Sequence, residues 1–497
     1  MIEAGGANTS WRVIAPGMLP FLPKPSNWRF ETVPQKGLNG RTGYQPRGKG
    51  LGGSSAVNAM LYVRGCAWDY DNWDALGARG WAYKDVLPVF RRAEGNVRGS
   101  DDYHGADGPL SVSDQLWPNP GSVDFVEAGA ELQLPRNPDF NGKQFEGVGL
   151  YQVTQRGGER WTAARAYVVP QKAAGRLHVE TGALVEKILI ENGRAVGVRI
   201  RQGWSTRTIR ARRAVILSGG AFGTPQTLML SGIGPADHLK AHGIDVLVDR
   251  PAVGSDLQDH IDYVASFQTD CDVFNGTTLS ASIKFLKSVL EWRSKRTGTL
   301  TTPYAEAGGF AKTRPDVTIP DVQFHFVPAM LEDHGRTSVS GTGYSIHVCV
   351  LRPESRGTVR LRSANAKDAP LIDPNFLDDD RDLEVLRAGV KLVHRINAAP
   401  SLAKHKGKDR HDTPLHDDAA LDQMIRNRSD TVYHPVGTAR MGSDADAVCD
   451  PQLRVRGVEG LYIADASVMP RLVSGNTNAP SVMIGERCAD FVRADLG

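Results

Sequence analysis

The chain has 497 residues, of which 59 are Lys or Arg and 56 are Asp or Glu, so its formal net charge is +3. A hydrophobic fraction of 40% over this length is more than one core needs, and two closely connected domains are expected. The balanced charge, without a basic block, argues against a nucleic acid partner. No run reaches the ~18 to 20 apolar residues of a membrane helix, so any membrane contact would be peripheral.

The five cysteines are scattered, at positions 66, 271, 349, 449 and 488. They form no CxxC pair and no Cys/His cluster, which argues against a disulfide framework and against a zinc or other metal site. The first residues, MIEAGGANTSWRV, lack the basic and apolar segments of a secretory signal. These features favour a cytoplasmic protein with reduced thiols, and they leave peripheral contact with the inner membrane open.

The first half of the chain is expected to combine a loop region with strands. Residues 67–160 are irregular and rich in Gly, Asp and Trp, which predicts a loop-dominated covering region. Runs rich in Val and Ile predict strands at 183–191, 195–200 and 213–221. Residues 224–234 have helical spacing closed by Gly232 and Gly234. Strand, glycine turn and helix in this order are typical of a doubly wound α/β sheet.

The second half predicts an antiparallel sheet with helices on one side. Residues 318–326 and 344–362 alternate like antiparallel strands around a turn. Helical patterns follow at 380–397 and 418–426, which together with the strands indicate an α+β arrangement. Residues 453–497 return to strand, loop and helix, so this second domain is expected to be inserted into a discontinuous first one.

Three motifs carry residue types suited to chemistry. Residues 47–65, RGKGLGGSSAVNAMLYVRG, predict a glycine- and serine-rich loop that leads into a helical run and lets the backbone approach a flat ligand. Residues 220–234, GAFGTPQTLMLSGIG, repeat a glycine turn before a helix. The third motif combines His434 and Pro435 in TVYHPVGTARMG with residues 461–492. Taken alone, each motif is as typical of an ordinary turn or of helix packing.

Together the three motifs resemble those of the glucose–methanol–choline (GMC) oxidoreductases, and the resemblance covers essentially the whole chain. Supporting stretches are EAGG (3–6), NWRFETVPQ (27–35), VGSDLQDH (253–260), EAGGF (306–310) and DAS (465–467). The resemblance implies a doubly wound α/β FAD-binding domain made of residues 1–66, 160–258 and 430–497. It also implies an inserted α+β substrate domain, built on an antiparallel sheet, made of residues 67–159 and 259–429.

Non-covalent FAD is the cofactor that the resemblance implies. Glu3 stands where the acidic residue that ends the second strand binds the adenosine ribose hydroxyls. Val185 resembles the backbone partner of the adenine, and Val57 replaces the histidine that tethers the flavin in some choline oxidases. The implied cofactor-binding residues are Glu3, Gly52, Gly53, Ser54, Ser55, Asn58, Val185, Asp465, Ala466, Asn476 and Thr477.

His434 and Asn476 match the catalytic pair of the family. Alcohol oxidation removes a hydroxyl proton and a carbinol hydride, so the site needs a base near the oxygen and the flavin N5 near the carbon. A neutral imidazole suits the proton, and an amide holds the oxygen without competing for it. Asn478 is expected to cap the following helix, which begins near Pro480. The histidines without this support are expected to be structural: His104, His260, His325 and His334.

The first residues depart from the family pattern. A complete member begins with a strand, a GxGxxG loop and a helix, whereas here Met1 falls inside the second strand, before Ile2 and Glu3. About thirty residues of the unit are then missing. A start assigned to an internal Met is favoured over a truncated chain because the motifs downstream are intact.

Several stretches resemble bacterial alkan-1-ol dehydrogenases that pass electrons to a quinone or another acceptor: residues 38–65, 155–167, 325–336 and 362–377. Oxidation of a primary alcohol to the aldehyde is therefore the expected activity. Choline dehydrogenase is the alternative, with Glu306 and Tyr304 as candidate partners of a quaternary ammonium. Alternatives of another class are a truncated, non-catalytic flavoprotein-like scaffold and a lyase that holds FAD structurally.

Overall fold

The structure is a computed structural model that describes residues 1–333, 336–337 and 339–497. The helices of this part of the chain are α1 (Trp11–Ile14), α2 (Ala67–Ala75), α3 (Tyr83–Ala93), α4 (Pro120–Glu131), α5 (Val169–Ala173), α6 (Gly220–Leu230), α7 (Ala236–Ala241), α8 (Leu279–Lys295), α9 (Asp380–Ala398), α10 (Pro400–Ala403), α11 (Asp418–Arg428) and α12 (Asn478–Leu496). None of the helices in the described ranges is long and apolar enough to cross a bilayer.

The strands in the described residues are mostly short. They are β1 (Phe30–Glu31), β2 (Tyr44–Gln45), β3 (Glu94–Asn96), β4 (Leu110–Val112), β5 (Gly147–Leu150), β6 (Gln155–Arg156), β7 (Glu159–Arg160), β8 (Ala183–Glu191), β9 (Arg194–Gln202), β10 (Ser205–Arg210), β11 (Val215–Leu217), β12 (Ile233–Gly234), β13 (Val248–Asp249), β14 (Ile261–Gln268), β15 (Ala307–Ala311), β16 (Val322–Val327), β17 (Gly343–Val350), β18 (Thr358–Arg360), β19 (Leu371–Asp373), β20 (Lys408–Asp409), β21 (Asp430–Thr431) and β22 (Leu461–Ile463).

The antiparallel sheet predicted for the second half is confirmed. Seven strands pair in the order β20–β14–β17–β16–β15–β5, and β21 pairs with the start of β14. Helix α9 packs on this sheet against β17. Its buried residues Leu386, Val390 and Val393 recur every three or four positions, which places them on one side of the helix. Apolar spacing in the sequence is thus enough to form this layer of helix on sheet.

The other large core joins distant parts of the chain. Strands β8, β9 and β10 form an antiparallel sheet, and β11 lies parallel to β22 although about half of the chain separates them. Leu217 and Ile463 from these two strands pack in one cluster with Met229 of α6 and Met483 of α12. The same cluster includes Trp73 and other residues of α2 and α3. The exact domain boundaries stay a prediction.

The helical run expected after the first glycine motif is not formed. A 3₁₀ turn spans Gly53–Ala56, and the chain then continues in extended form. Met60 has a φ of +64°, which ends any helix, and Tyr62 donates its backbone N–H to Gln152 at 2.8 Å. The backbone of this motif is therefore paired with another segment and not with itself.

Other expectations need correction. Residues 67–160 contain the expected long loops, but they also form α2, α3 and α4, where buried side chains such as Tyr70 and Trp73 recur at helical spacing. The turn predicted within 344–362 does not close a hairpin, since β17 pairs with β14 and β16 whereas β18 pairs with β19. Helix α6 begins at Gly220, four residues earlier than predicted, and ends before Gly232, which has the expected positive φ of +83°. His334 lies outside the described residues.

Candidate active site

The first motif forms a loop that is held by its own serines and by a buried arginine. Ser54 Oγ accepts from the N–H of Gly48 at 3.2 Å, and Ser55 Oγ donates to the carbonyl of Gly52 at 2.5 Å. Asn58 Oδ1 accepts from Arg160 Nη1 at 2.8 Å. No carboxylate pairs with Arg160 in the described residues, and burial lowers its pKa to about 9. Its hydrogen bonds to the loop fix the position of residues 55–58.

Glu3 and Val185 occupy neighbouring segments beside this loop. Glu3 Oε1 accepts from the N–H groups of Gly5 and Gly50 at 2.7 and 2.8 Å, which joins the first residues of the chain to the glycine motif. A Cβ on Gly5 would lie 2.4 Å from the nitrogen of Gly50, so only glycine permits this approach. The backbone of Glu3 pairs with Glu180 and with Ala183, two residues before Val185 in β8.

The second and third motifs meet at Asp465. Its Oδ2 accepts from the N–H of Gly220 at 2.9 Å and from Thr224 Oγ1 at 2.6 Å, and its Oδ1 accepts from the N–H of Ser467. The carbonyl of Ala466 accepts from the N–H of Gly437, which ties the third motif to the loop that follows His434. Asp465 therefore holds the start of α6 and the loop after β22 together.

The glycines of two motifs leave room for a flat ligand. Gly53 and Gly220 have φ values of +52° and +76°, which side chains rarely adopt, and a Cβ at either would meet nothing within 4 Å. Gly220 also starts α6, where backbone N–H groups favour negative charge. Glycines of this kind fit a bound dinucleotide, which needs close backbone approach and hydrogen-bond donors.

His434 is buried directly after β21. Its backbone N–H donates to Asp259 Oδ1 at 2.7 Å, and Asp259 Oδ2 accepts from Thr431 Oγ1 and from Gln45 Nε2. The backbones of Gln258 and Val436 pair in both directions. The stretch VGSDLQDH thus positions His434. The sequence alone indicated only that this stretch resembles the family.

His260, expected to be structural, contacts the candidate base directly. Its Nδ1 lies 2.9 Å from His434 Nδ1, and its Nε2 lies 3.1 Å from the carbonyl oxygen of Leu351. A carbonyl can only accept, so Nε2 of His260 carries the proton and its Nδ1 accepts. His434 therefore donates from Nδ1, and its Nε2 is left with the lone pair.

A second line of hydrogen bonds reaches His434 from the opposite side. Tyr151 donates its hydroxyl proton to the carbonyl of Phe324, so Gln323 Nε2, at 3.2 Å, must be a donor to the Tyr151 oxygen. The same Gln323 nitrogen donates to Asn476 Oδ1 at 3.2 Å. Asn476 then presents Nδ2 to His434 Nε2 at 3.1 Å. The backbone carbonyls of Leu351 and Phe324 thus fix which atoms donate and which accept in both lines of hydrogen bonds that reach His434.

The imidazoles of this centre are neutral at physiological pH. Burial, followed by the charges that His260, His325 and Arg47 would carry, holds the pKa of His434 well below its ordinary value. Burial also lowers the pKa values of His260 and His325 to about 3. Both ring nitrogens of His325 are buried without a hydrogen-bond partner in the described part of the chain. The three imidazoles are therefore neutral groups that can accept a proton.

Asn476 is positioned by a residue that sequence reasoning missed. Asp69, buried in α2, accepts from the N–H and Oγ of Ser474, both at 2.8 Å, and from the N–H of Cys66. An isolated Asp within a helical pattern carries no signal for the role of Asp69.

The expectation that Asn478 caps α12 is wrong, because Asn478 is the first residue of this helix and Thr477 takes the position before it.

The structure joins the predicted residues in separate groups. His434 contacts Asn476, Glu3 contacts the first motif, and Asp465 contacts the second. No hydrogen bond within the described ranges links Asn58 to His434 or to Asn476. Hydrogen bonds of the described residues therefore hold the predicted positions in three groups.

The comparisons with known proteins identify the class to which this fold and site belong: the FAD-dependent oxidoreductases. Profiles described as GMC oxidoreductase match residues 1–262 and 353–485. The chain is 44% identical to an alcohol dehydrogenase [acceptor] of Pseudomonas putida, over 99% of this chain and 90% of that protein. It is also 44% identical to the mitochondrial choline dehydrogenase of Homo sapiens, over 99% and 84%. The crystal structure of pyridoxine 4-oxidase from Mesorbium loti superposes with a TM-score of 0.87 and 29% identity, over 99% of this chain and 93% of that one.

The chain belongs to the GMC oxidoreductase family. The resemblance drawn from the three motifs is therefore confirmed.

Proposed function

We propose that the protein oxidises a primary alcohol to the aldehyde with FAD and passes the electrons to a quinone or another acceptor. The observation that carries the proposal is the directed line of hydrogen bonds from Leu351 to His434, which leaves the Nε2 lone pair as a buried proton acceptor. The alcohol dehydrogenase [acceptor] relative supports the same reaction. We also propose that the protein is located in the cytoplasm or peripherally at the inner membrane.

The cofactor-binding residues fit FAD in type and arrangement. Glu3, Gly52, Gly53, Ser54, Ser55, Asn58, Val185, Asp465, Ala466, Asn476 and Thr477 would hold it. When bound, FAD supplies the hydride acceptor that alcohol oxidation requires. Val57 offers no nucleophile, so the cofactor would be bound without a covalent link. The doubly wound arrangement of this domain stays a prediction.

The chain's own residues move the proton. His434 Nε2 accepts the hydroxyl proton, because its Nδ1 proton is already committed to His260. Asn476 Nδ2 is the donor that can turn from His434 to the alcohol oxygen. Burial of His434 limits the access of water, which would otherwise compete for the same lone pair.

His260 is proposed as a positioning residue that selects the tautomer of His434. We expect His260→Ala to lower kcat about 10- to 100-fold, because His434 can then place its proton on Nε2. His260→Asn, which keeps an acceptor oxygen, should retain more of the rate. A structural role alone predicts equal loss in both variants and an unchanged pH profile at equal flavin content. Stopped-flow reduction of the flavin between pH 5 and 8 distinguishes the two outcomes.

Glu306 does not suit the cation of choline. Its carboxylate is buried and accepts from Asn119 N–H at 2.6 Å, Ser122 Oγ at 2.7 Å and Thr302 Oγ1 at 2.5 Å. Burial raises its pKa, with those hydrogen bonds opposing the rise, so the charge that choline needs is disfavoured. The hydroxyl of Tyr304 donates to Gly17. These contacts favour an alkanol over choline.

We therefore expect medium-chain primary alcohols to be oxidised faster than choline by orders of magnitude. Each methylene buried in an apolar pocket contributes about 0.8 kcal/mol, so kcat/KM should rise several-fold per carbon until the pocket is full. Choline would leave a desolvated cation unpaired, which costs several kcal/mol. An artificial acceptor assay with butanol, hexanol, octanol and choline measures this. Faster turnover of choline than of octanol would instead assign the choline dehydrogenase activity.

A further inference from the structure

Helix α8 presents an apolar stripe to solvent. Ile283, Leu286 and Leu290 lie three and four residues apart, on one side of the helix, and are 50%, 60% and 61% exposed. Single exposed apolar residues are ordinary on protein surfaces, whereas several at helical spacing form a continuous apolar surface. This surface has no role in the alcohol chemistry derived above.

The opposite side of α8 is already occupied. Trp292 is buried in a cluster with Ala15, Met18 and Leu300, and its indole N–H donates to the carbonyl of Gly158 at 2.7 Å. The stripe is therefore not the side by which α8 packs onto its own chain. Because α8 packs on its own chain through Trp292, the stripe on its other side faces solvent.

Two aromatic residues of the segment 11–21 contact α8 on the side away from the stripe. The ring of Phe21 lies 5.5 Å from the ring of Phe285 on α8, and the ring of Trp11 lies 6.5 Å from the ring of Trp292. The segment 11–21 therefore packs on the same side as Trp292 and leaves the stripe facing solvent.

The charge around the stripe is positive. Helix α8 carries Lys284, Lys287, Arg293 and Lys295 against one acidic residue, Glu291. A basic amphipathic helix of this kind lies in the plane of a membrane surface, with its lysines near anionic headgroups. A second copy of the same face would bring the lysines together, and such like-charge contact disfavours self-association.

We propose that the stripe of α8, with the lysines beside it, docks the protein onto an anionic lipid bilayer. The benefit of docking rests on the proposed function, because a quinone acceptor and a longer alkanol both partition into lipid. The helix is also tied to the cofactor loop. Arg296, at its end, donates to Glu159 at 2.8 Å, and the adjacent Arg160 holds Asn58. Hydrogen bonds through Arg296, Glu159 and Arg160 therefore connect the end of α8 to the loop of the first motif.

Vesicle sedimentation of the full-length holoprotein tests the proposal. Phosphatidylcholine vesicles containing phosphatidylglycerol should bind the protein, and pure phosphatidylcholine should bind it weakly. Leu286→Asp combined with Leu290→Asp should lower binding about tenfold or more. Lys284→Gln combined with Lys287→Gln should lower it about 25-fold, at about five-fold per lysine, and high salt should have a similar effect.

The matched control is Trp204→Asp combined with Leu247→Asp, which changes exposed apolar residues elsewhere and should leave vesicle binding unaltered. Equal binding of the α8 variants and the wild type overturns the proposal. A dimer that forms without lipid and that the α8 variants abolish, as measured by ultracentrifugation, also overturns the proposal. Binding to an acidic polypeptide but not to vesicles would overturn it as well. Normal vesicle binding without flavin reduction by any alcohol would refute the proposed function and leave the docking intact.

Discussion

His434→Ala should slow reduction of the bound flavin by the alcohol about 10²- to 10⁴-fold while FAD remains bound. The variant loses the lone pair on Nε2, and Asn476 cannot replace it because an amide nitrogen only donates. Stopped-flow spectroscopy at saturating alcohol measures the effect. His178→Ala, which changes a histidine at the surface, is the matched control and should react like the wild type.

The pH dependence of the wild type tests the same assignment. Because burial holds the pKa of His434 well below its ordinary value of 6.5, the base stays deprotonated as the pH falls through 6.5. The acidic limb of kcat/KM should therefore lie well below pH 6.5. Flavin reduction at the wild-type rate in His434→Ala would remove the residue from the mechanism and favour the non-catalytic scaffold.

Glu94→Gln should lower the free energy of unfolding by about 3 to 5 kcal/mol, because it leaves the Arg64 guanidinium buried without its counter-ion. Arg64 Nη2 and Glu94 Oε2 lie 2.5 Å apart, and the side chains are 1% and 0% exposed. Glu94 also accepts from His104, and although burial lowers the pKa of His104, hydrogen bonds to Asp139 and Glu94 raise it to about 9. The variant therefore leaves Arg64 without a counter-ion and His104 with Asp139 alone.

Thermal and denaturant unfolding, followed by tryptophan fluorescence, measures this loss. The matched control is Glu127→Gln, because Glu127 also pairs with an arginine, Arg136, at 2.5 Å, but in an exposed position. Exposed ion pairs contribute little, so this variant should unfold like the wild type. Equal effects of the two substitutions would mean that burial is not the source of the stability of the Arg64–Glu94 pair.

Local signals in the sequence were reliable where one segment decides the outcome. The spacing of apolar residues predicted α9 and α11, and the Val- and Ile-rich runs predicted β8 and β9. Local signals failed for residues 57–65, because the backbone of Tyr62 pairs with Gln152, about ninety residues away. They failed again between β17 and β18, whose partners lie in other segments.

The candidate site divides in the same way. The sequence by itself determined the family and the pair His434 and Asn476, since both depend on residue types within short motifs. The tertiary structure alone decided that His260 is the partner of His434 and that Nε2 holds the lone pair. The physical reason is that a neutral imidazole has two tautomers of similar energy. Which one forms depends on the carbonyl of Leu351, which folding brings beside His260 from a different strand.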